Sequence, residues 1–263
     1  MKSVMDFAVA KSKGQKISMV TCYDYWSARI IDESDIDCVL VGDSLGMVMH
    51  GFPSTLSVSR EVMALHTAAV ARGLTNKFIV GDLPFLSFRK SLSDTMDAVE
   101  RIIQAGAQAV KIEGADGHTE WIQHIVQSGV PVMGHLGLTP QSIHQLGGFK
   151  VQGREEKARQ AIHRQARALQ EAGCFAIVLE CVPSDLAQLI TQDLAIPTIG
   201  IGAGNATDGQ VLVLQDLLGM NRDFKPKFLR RFVDGYSVVQ QGLNSFARQV
   251  QEGQFPNSEE SYQ

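Results

Sequence analysis

Four apolar runs in this chain each stop on an acid: Val39-Leu40-Val41-Gly42-Asp43, Phe78-Ile79-Val80-Gly81-Asp82, Ala109-Val110-Lys111-Ile112-Glu113 and Phe175-Ala176-Ile177-Val178-Leu179-Glu180. Short, continuous runs rich in Val and Ile mark strands buried on both faces, the condition of a parallel sheet covered by helices. In a closed barrel of such strands, chemistry sits at the end where the strands finish. Several acids on one rim point to a bound cation.

The strand candidates are Ile17 to Cys22, Cys38 to Gly42, Lys77 to Gly81, Ala109 to Glu113, Pro131 to His135, Phe175 to Glu180, Pro197 to Ile201 and a short piece near Leu217 to Gly219. Helical spacing separates them, as in Met96, Val99, Ile102 and Ile103, or Trp121, Ile122, Ile125 and Val126. Ser59, Ser93, Ser184 and Thr207 stand where helices can be capped, and Gly73, Gly106, Gly129 and Gly173 where they can stop. A leading helix near Ser3 to Lys11 and a last helical stretch from Pro226 to about Val250 flank the alternation. About eight strand–helix units fit either a closed (β/α)8 barrel (TIM barrel) or an open doubly wound sheet. Acids on at least four strands favour the barrel, because an open sheet gathers its ligand contacts at one switch point. At 263 residues, one barrel domain spanning 1–263 is the expectation. The longer connections, Leu45 to Val58 and Leu136 to Gln152, are candidate lids.

Composition narrows the ligand. A net charge of -4 without a dense Lys/Arg run argues against nucleic acid or a membrane surface as partner, leaving a small molecule. Cys22, Cys38, Cys174 and Cys181 show no Cys-x-x-Cys spacing and read as reduced, packed thiols, which suits a cytoplasmic location. Lysines and Asp6 interrupt the N-terminal apolar residues, so no signal-peptide core is expected, nor a run able to span a bilayer.

The acids have a functional and a structural reading. Asp43, Asp82 and Glu113 facing one cavity would repel one another unless a cation sat among them, and hard oxygens suit magnesium or manganese better than zinc. Alternatively each acid only caps the next turn. Lys111 shares a strand face with Glu113 by the period of two, so it points into a barrel, pairing either with a bound organic acid or with a neighbouring carboxylate. His135 stands to orient a substrate oxygen or move a proton, or else is a satisfied structural histidine. Glu180, from across the circle relative to the other acids, suits a general base rather than a ligand. Cys181 reads as packing, and the run Gly200-Ile201-Gly202-Ala203-Gly204-Asn205 as a phosphate cradle or a tightly packed rim.

Taken together, Val41-Gly42-Asp43-Ser44-Leu45-Gly46-Met47, Gly81-Asp82-Leu83-Pro84-Phe85, Val110-Lys111-Ile112-Glu113-Gly114, Gly134-His135-Leu136-Gly137-Leu138-Thr139-Pro140-Gln141-Ser142, Lys150-Val151-Gln152-Gly153-Arg154, Leu179-Glu180-Cys181-Val182-Pro183 and Ile199-Gly200-Ile201-Gly202-Ala203-Gly204 closely resemble the ketopantoate hydroxymethyltransferase family. The resemblance runs from about Thr21 to Phe228. It implies a (β/α)8 barrel in which Asp43 and Asp82 hold Mg2+ and Glu113 is a further direct or water-mediated ligand. It also implies that Asp43, Ser44, Asp82 and Lys111 contact an α-keto acid, that His135 lines the substrate site, and that Glu180 is the proton acceptor. The implied reaction moves a hydroxymethyl unit from 5,10-methylenetetrahydrofolate to 3-methyl-2-oxobutanoate through a magnesium-stabilised enolate, giving 2-dehydropantoate, the first committed step toward pantothenate and coenzyme A. A cytoplasmic homodecamer is implied as well. Phe52-Pro53 departs from the more polar pair the family pattern leads one to expect, and the N-terminal leader diverges. The competing enzymatic reading is the phosphoenolpyruvate mutase and isocitrate lyase group, whose lyases carry a Lys-Lys-Cys-Gly-His motif that this chain lacks; a non-catalytic, metabolite-binding barrel is the competing reading from another class.

Overall fold

The computed structural model describes residues 3–262. In chain order the elements are α1 (Val4–Ser12), β1 (Ile17–Thr21), α2 (Tyr25–Asp32), β2 (Cys38–Val41), α3 (Leu45–Val48), α4 (Arg60–Gly73), β3 (Phe78–Asp82) and α5 (Leu92–Gln104). Next come β4 (Ala109–Glu113), α6 (Thr119–Gln127), β5 (Val132–Gly137), α7 (Ile143–Leu146), α8 (Glu156–Glu171), β6 (Ala176–Glu180), α9 (Ser184–Asp193), β7 (Thr198–Ile201) and β8 (Gly209–Leu212). The eight strands are parallel and close in sequence order, with β8 returning to β1 so that Val211 stands opposite Met19. The molecule is therefore a (β/α)8 barrel, and the open-sheet alternative falls away.

Residues up to Val213 form one compact unit, and those from Leu214 onward a second. The second contains α10 (Leu214–Leu217) and α11 (Gly235–Gln251), the helical extension expected at the C-terminal end.

Alternation along each strand explains how the barrel fills. Ile17 and Met19, Cys38 and Leu40, Phe78 and Val80, Ala109, Met133, Ala176 and Val178, Ile199 and Val211 pack together in one core cluster. The same cluster takes in Phe7 and Ala10 of α1. Phe7 is fully buried and meets Phe78 and Phe175 edge-on, with ring centroids 5.6 and 5.1 Å apart. Both partners lie where strands begin, so the leading helix seals the N-terminal mouth. Burying a side chain of that size stabilises the fold by about 1.5–3 kcal/mol.

Five sequence expectations need correction. The eighth strand is Gly209–Leu212, whereas Leu217–Gly219 lies at the end of α10 and the turn after it. Thr207 caps no helix; it precedes β8 and donates its hydroxyl to the Gly209 carbonyl at 2.8 Å. Ser91 rather than Ser93 caps α5, accepting from the Asp94 N–H, and Ser184 is the first residue of α9, after Pro183. The last long helix begins at Gly235, not Pro226, because Asp234 supplies the cap by accepting from the Ser237 N–H. Ser59 caps α4 as expected.

Candidate active site

Above the apolar filling, the inward positions turn charged. Counting by twos, Phe78 and Val80 lead to Asp82, Ala109 to Lys111 and Glu113, Met133 to His135, and Ala176 and Val178 to Glu180. Strand register then sets neighbours side by side: Asp82 opposite Lys111, and Glu113 opposite His135. Asp82, Glu113 and Glu180 are the last residues of their strands, and Lys111 and His135 lie two residues before the ends of theirs.

Asp43 arrives differently, one turn past β2. A Cβ at Gly42 would come within 2.9 Å of Ser44 Oγ and 3.5 Å of Asp82 Oδ2, so a bare backbone lets the chain pass this close to β3. In consequence the Asp43 N–H donates to Asp82 Oδ2 at 2.9 Å. The next residue, Ser44, shares a hydroxyl–hydroxyl hydrogen bond of 2.7 Å with Tyr23, which is buried just beyond β1.

The contacts form a continuous line around the rim. Lys111 Nζ lies 2.9 Å from Asp82 Oδ1 and 3.2 Å from His135 Nδ1. His135 Nδ1 is 3.4 Å from Glu113 Oε1, and His135 Nε2 is 3.2 Å from Glu180 Oε2. Asp43, Asp82, Lys111, Glu113 and His135 are each 4% exposed or less, while the Glu180 side chain retains 19%. Every site residue named from the sequence is thus gathered at one end of the barrel. Glu180, on the strand across the barrel from β2, is joined to Glu113 through His135.

Burial at this density shifts protonation. Burial, reinforced by Asp82 and Glu113, pushes the Asp43 carboxyl well above the usual carboxylate range. Burial also raises Asp82, outweighing the opposing pull of Lys111. For Lys111, burial disfavours the charge but Asp82, Glu113 and Asp43 outweigh it, so the ammonium is held more firmly than in water. Burial raises Glu113 too, yet its hydrogen bond with His135 and the charges of His135 and Lys111 prevail and lower it. On His135, burial and Lys111 oppose protonation, but Glu113 and Glu180 together lift it to about 9. Lys111 as donor to Nδ1 requires a lone pair there, whereas Glu113 as acceptor requires a proton. The first arrangement leaves the proton on Nε2, the ring atom nearest Glu180, while the second puts one there only in the imidazolium, the form that the rise to about 9 favours.

Among the described residues, no three His, Cys, Asp or Glu side chains close around a point as a complete metal cage. Magnesium needs less, since it keeps several waters and uses one or two carboxylates. The donors present fit it. Asp43 and Asp82 are hard oxygen groups that burial leaves short of positive charge, and Asp82 Oδ1 accepts no well-directed hydrogen bond despite the nearby ammonium.

Two residues of the site are given no role by the sequence reading, although Gln141 lies within one of the family-like motifs. Gln141, on the loop after β5, donates from Nε2 to Asp43 Oδ2 at 2.8 Å and to the Leu83 carbonyl at 2.9 Å. Tyr23 supports Ser44, as above; an aromatic with a polar tip just beyond a strand is the only hint available. Cys181 is half-buried, with its thiol pushed up to about 11 by burial and Glu180, and so fits the packing role.

A closed barrel with charged, buried groups concentrated at the C-terminal ends of its strands defines an enzyme of the (β/α)8 class. The profile of the ketopantoate hydroxymethyltransferase family matches residues 2–258, and the chain belongs to that family. A protein of Bdellovibrio bacteriovorus named 3-methyl-2-oxobutanoate hydroxymethyltransferase is 61% identical over 262 residues, covering 100% of both chains. A Coxiella burnetii protein of the same name is 59% identical over 255 residues, covering 97% of this chain and 96% of the other. Among solved structures, phosphonopyruvate hydrolase in complex with oxalate and Mg++ superposes with a TM-score of 0.64 at 12% identity, covering 99% of this chain and 93% of that one. A 2,3-dimethylmalate lyase of the PEP mutase/isocitrate lyase superfamily gives 0.61 at 14% identity, covering 100% and 92%. At such identities these two structures establish a shared barrel.

Proposed function

We propose that the protein is a 3-methyl-2-oxobutanoate hydroxymethyltransferase that takes its one-carbon unit from 5,10-methylenetetrahydrofolate, yields 2-dehydropantoate and works with a bound divalent cation, magnesium or manganese. The observation that carries this reading is the unbroken line from Asp43 through Asp82, Lys111 and His135 to Glu180, with cation-seeking oxygens at one end and a carboxylate base at the other. The names of the curated relatives support the reaction.

In this reading Asp43 and Asp82 hold the cation, with Glu113 as a further ligand, directly or through water. A cation held there would polarise the keto oxygen of the substrate and acidify the C–H beside it, an effect worth several kcal/mol. Lys111 and Ser44 hold the substrate carboxylate, the first by charge and the second by a hydroxyl that Tyr23 orients. Glu180 takes the proton from C3, a step in which a positioned base contributes about 10²- to 10⁴-fold. The proton on His135 Nε2 steadies Glu180 between turnovers. Water hydrolyses the methylene bridge of the folate to formaldehyde and tetrahydrofolate, and the C3 carbanion adds to the formaldehyde carbon while its oxygen takes up the proton held by Glu180, leaving a hydroxymethyl group. Small molecules are the partners in this account, and a cytoplasmic homodecamer is the assembly that the family resemblance supports.

The test is exchange of the C3 hydrogen of 3-methyl-2-oxobutanoate for deuterium. Glu180→Gln is expected to abolish exchange while magnesium uptake, followed by calorimetry, stays near wild type. Exchange at the wild-type rate would remove Glu180 from the role of base, and failure of the wild-type protein to turn over methylenetetrahydrofolate would remove the proposed reaction.

A further inference from the structure

The loop after β5 carries one residue that touches the ends of three other strands. Thr139-Pro140-Gln141-Ser142 makes a tight turn, with the Ser142 N–H donating to the Thr139 carbonyl at 2.8 Å and Pro140 at its first position. That turn drives the Gln141 side chain inward, where it is 7% exposed. Both hydrogens of its amide are committed, one to Asp43 Oδ2 past β2 and one to the Leu83 carbonyl past β3. Its backbone N–H donates to Glu113 Oε2 at the end of β4, at 3.0 Å. A neutral amide fixes the carboxylates without adding positive charge, so it does not compete with a cation as a lysine would.

A second observation points to a ligand. Gln141 Oε1 is buried and accepts no hydrogen bond from the protein. The amide cannot be turned round to relieve this, because the oxygen would then face Asp43 Oδ2 and the Leu83 carbonyl. Leaving such an acceptor unpaired costs about 1–3 kcal/mol, and a hydrated magnesium ion brings water donors with it.

We infer that Gln141 is a positioning residue of the cation site, holding Asp43 and Glu113 in place through its two N–H groups while Oε1 accepts a hydrogen bond from a water carried by the cation. The inference rests on the reading that a divalent cation binds at Asp43 and Asp82.

Calorimetric titration of substrate-free protein with magnesium, alongside thermal unfolding, tests it. Gln141→Met keeps the length and the backbone hydrogen bond to Glu113 but removes the amide, and is expected to weaken magnesium binding about 10- to 100-fold. Gln141→Asn keeps the amide but falls one methylene short of Asp43, and is expected to lie between; it is read by the same criterion if the Met variant fails to fold. With manganese as the probe, solvent-proton relaxation is expected to show faster exchange of the bound water in the variant. A lowered melting temperature with unchanged magnesium affinity would show that Gln141 only braces its loop and would overturn the inference, and unchanged water exchange would remove the Oε1 contact. Wild-type protein that takes up no magnesium would instead overturn the cation reading itself.

Discussion

Gly137→Ala puts the placement of Glu180 to a quantitative test. Gly137 is the last residue of β5, pairs with Glu180 on β6 and has φ +95°, a conformation that residues with a side chain rarely adopt. A Cβ there would lie 2.2 Å from the Glu180 carbonyl oxygen and 2.7 Å from Val182 Cγ1, the first of these about 1.2 Å short of the 3.4 Å at which ordinary contact begins. The obstacle is backbone, which cannot swing aside as a side chain can. Relief therefore moves the β6 end and endangers the hydrogen bond from the Leu138 N–H to the Glu180 carbonyl, at 2.8 Å. Backbone strain of about 1–3 kcal/mol and a hydrogen bond of about 0.5–1.5 kcal/mol together suggest a loss near 2–4 kcal/mol. In a chain of this size that lowers Tm by on the order of 5–10 °C. A base displaced by about 1 Å loses roughly 10²-fold in rate. Deuterium exchange at C3 should fall by about that factor below the melting transition, with magnesium affinity little changed. Wild-type exchange in a folded variant would refute the argument that the β5–β6 junction sets the position of Glu180.

Asp82→Ala strips Lys111 of its nearest counter-charge and the cation of a ligand, so calorimetry should show weakened magnesium uptake and unfolding a loss of about 3–5 kcal/mol, the usual consequence of breaking a buried pair. Tyr23→Phe deletes the 2.7 Å hydrogen bond to Ser44, worth about 0.5–1.5 kcal/mol, and steady-state kinetics should show KM for the keto acid raised up to about 10-fold with kcat nearly unchanged. Magnesium at about 100 times its Kd should stabilise chelator-treated protein by about 2.7 kcal/mol in a thermal melt, and restore exchange at C3; a melt indifferent to the ion would count against Asp43 and Asp82 as its ligands.

What the sequence revealed depended on how each part is encoded. Strands buried on both faces write themselves as unbroken apolar runs, so β2, β3, β4 and β6 and the acids that end them were legible. Strand β8 was not, because Gly209-Gln210-Val211-Leu212 is short and Gln210 is exposed, and it follows a glycine-rich stretch that reads as loop. The apolar residues of Leu217–Gly219 drew the strand assignment instead. Charged members of the site were found because a carboxylate or lysine at a strand end has few structural reasons to be there. Gln141 and Tyr23 act through neutral hydrogen bonds across long sequence separations, to Asp43 and Ser44, and nothing in local spacing marks such pairs. Ser91 and Ser93 are both plausible caps in sequence; only the Ser91 hydroxyl accepts from the Asp94 N–H.

The helix α1, with Phe7 set among the first residues of the strands, stoppers the barrel from below. With the interior packed by the core cluster and its lower end plugged by this helix, the charged rim is the face of the barrel left to reactants, so two that meet there are expected to arrive and leave from the same side. On that geometry the nine residues of α1 would bear on the order of binding without touching either reactant.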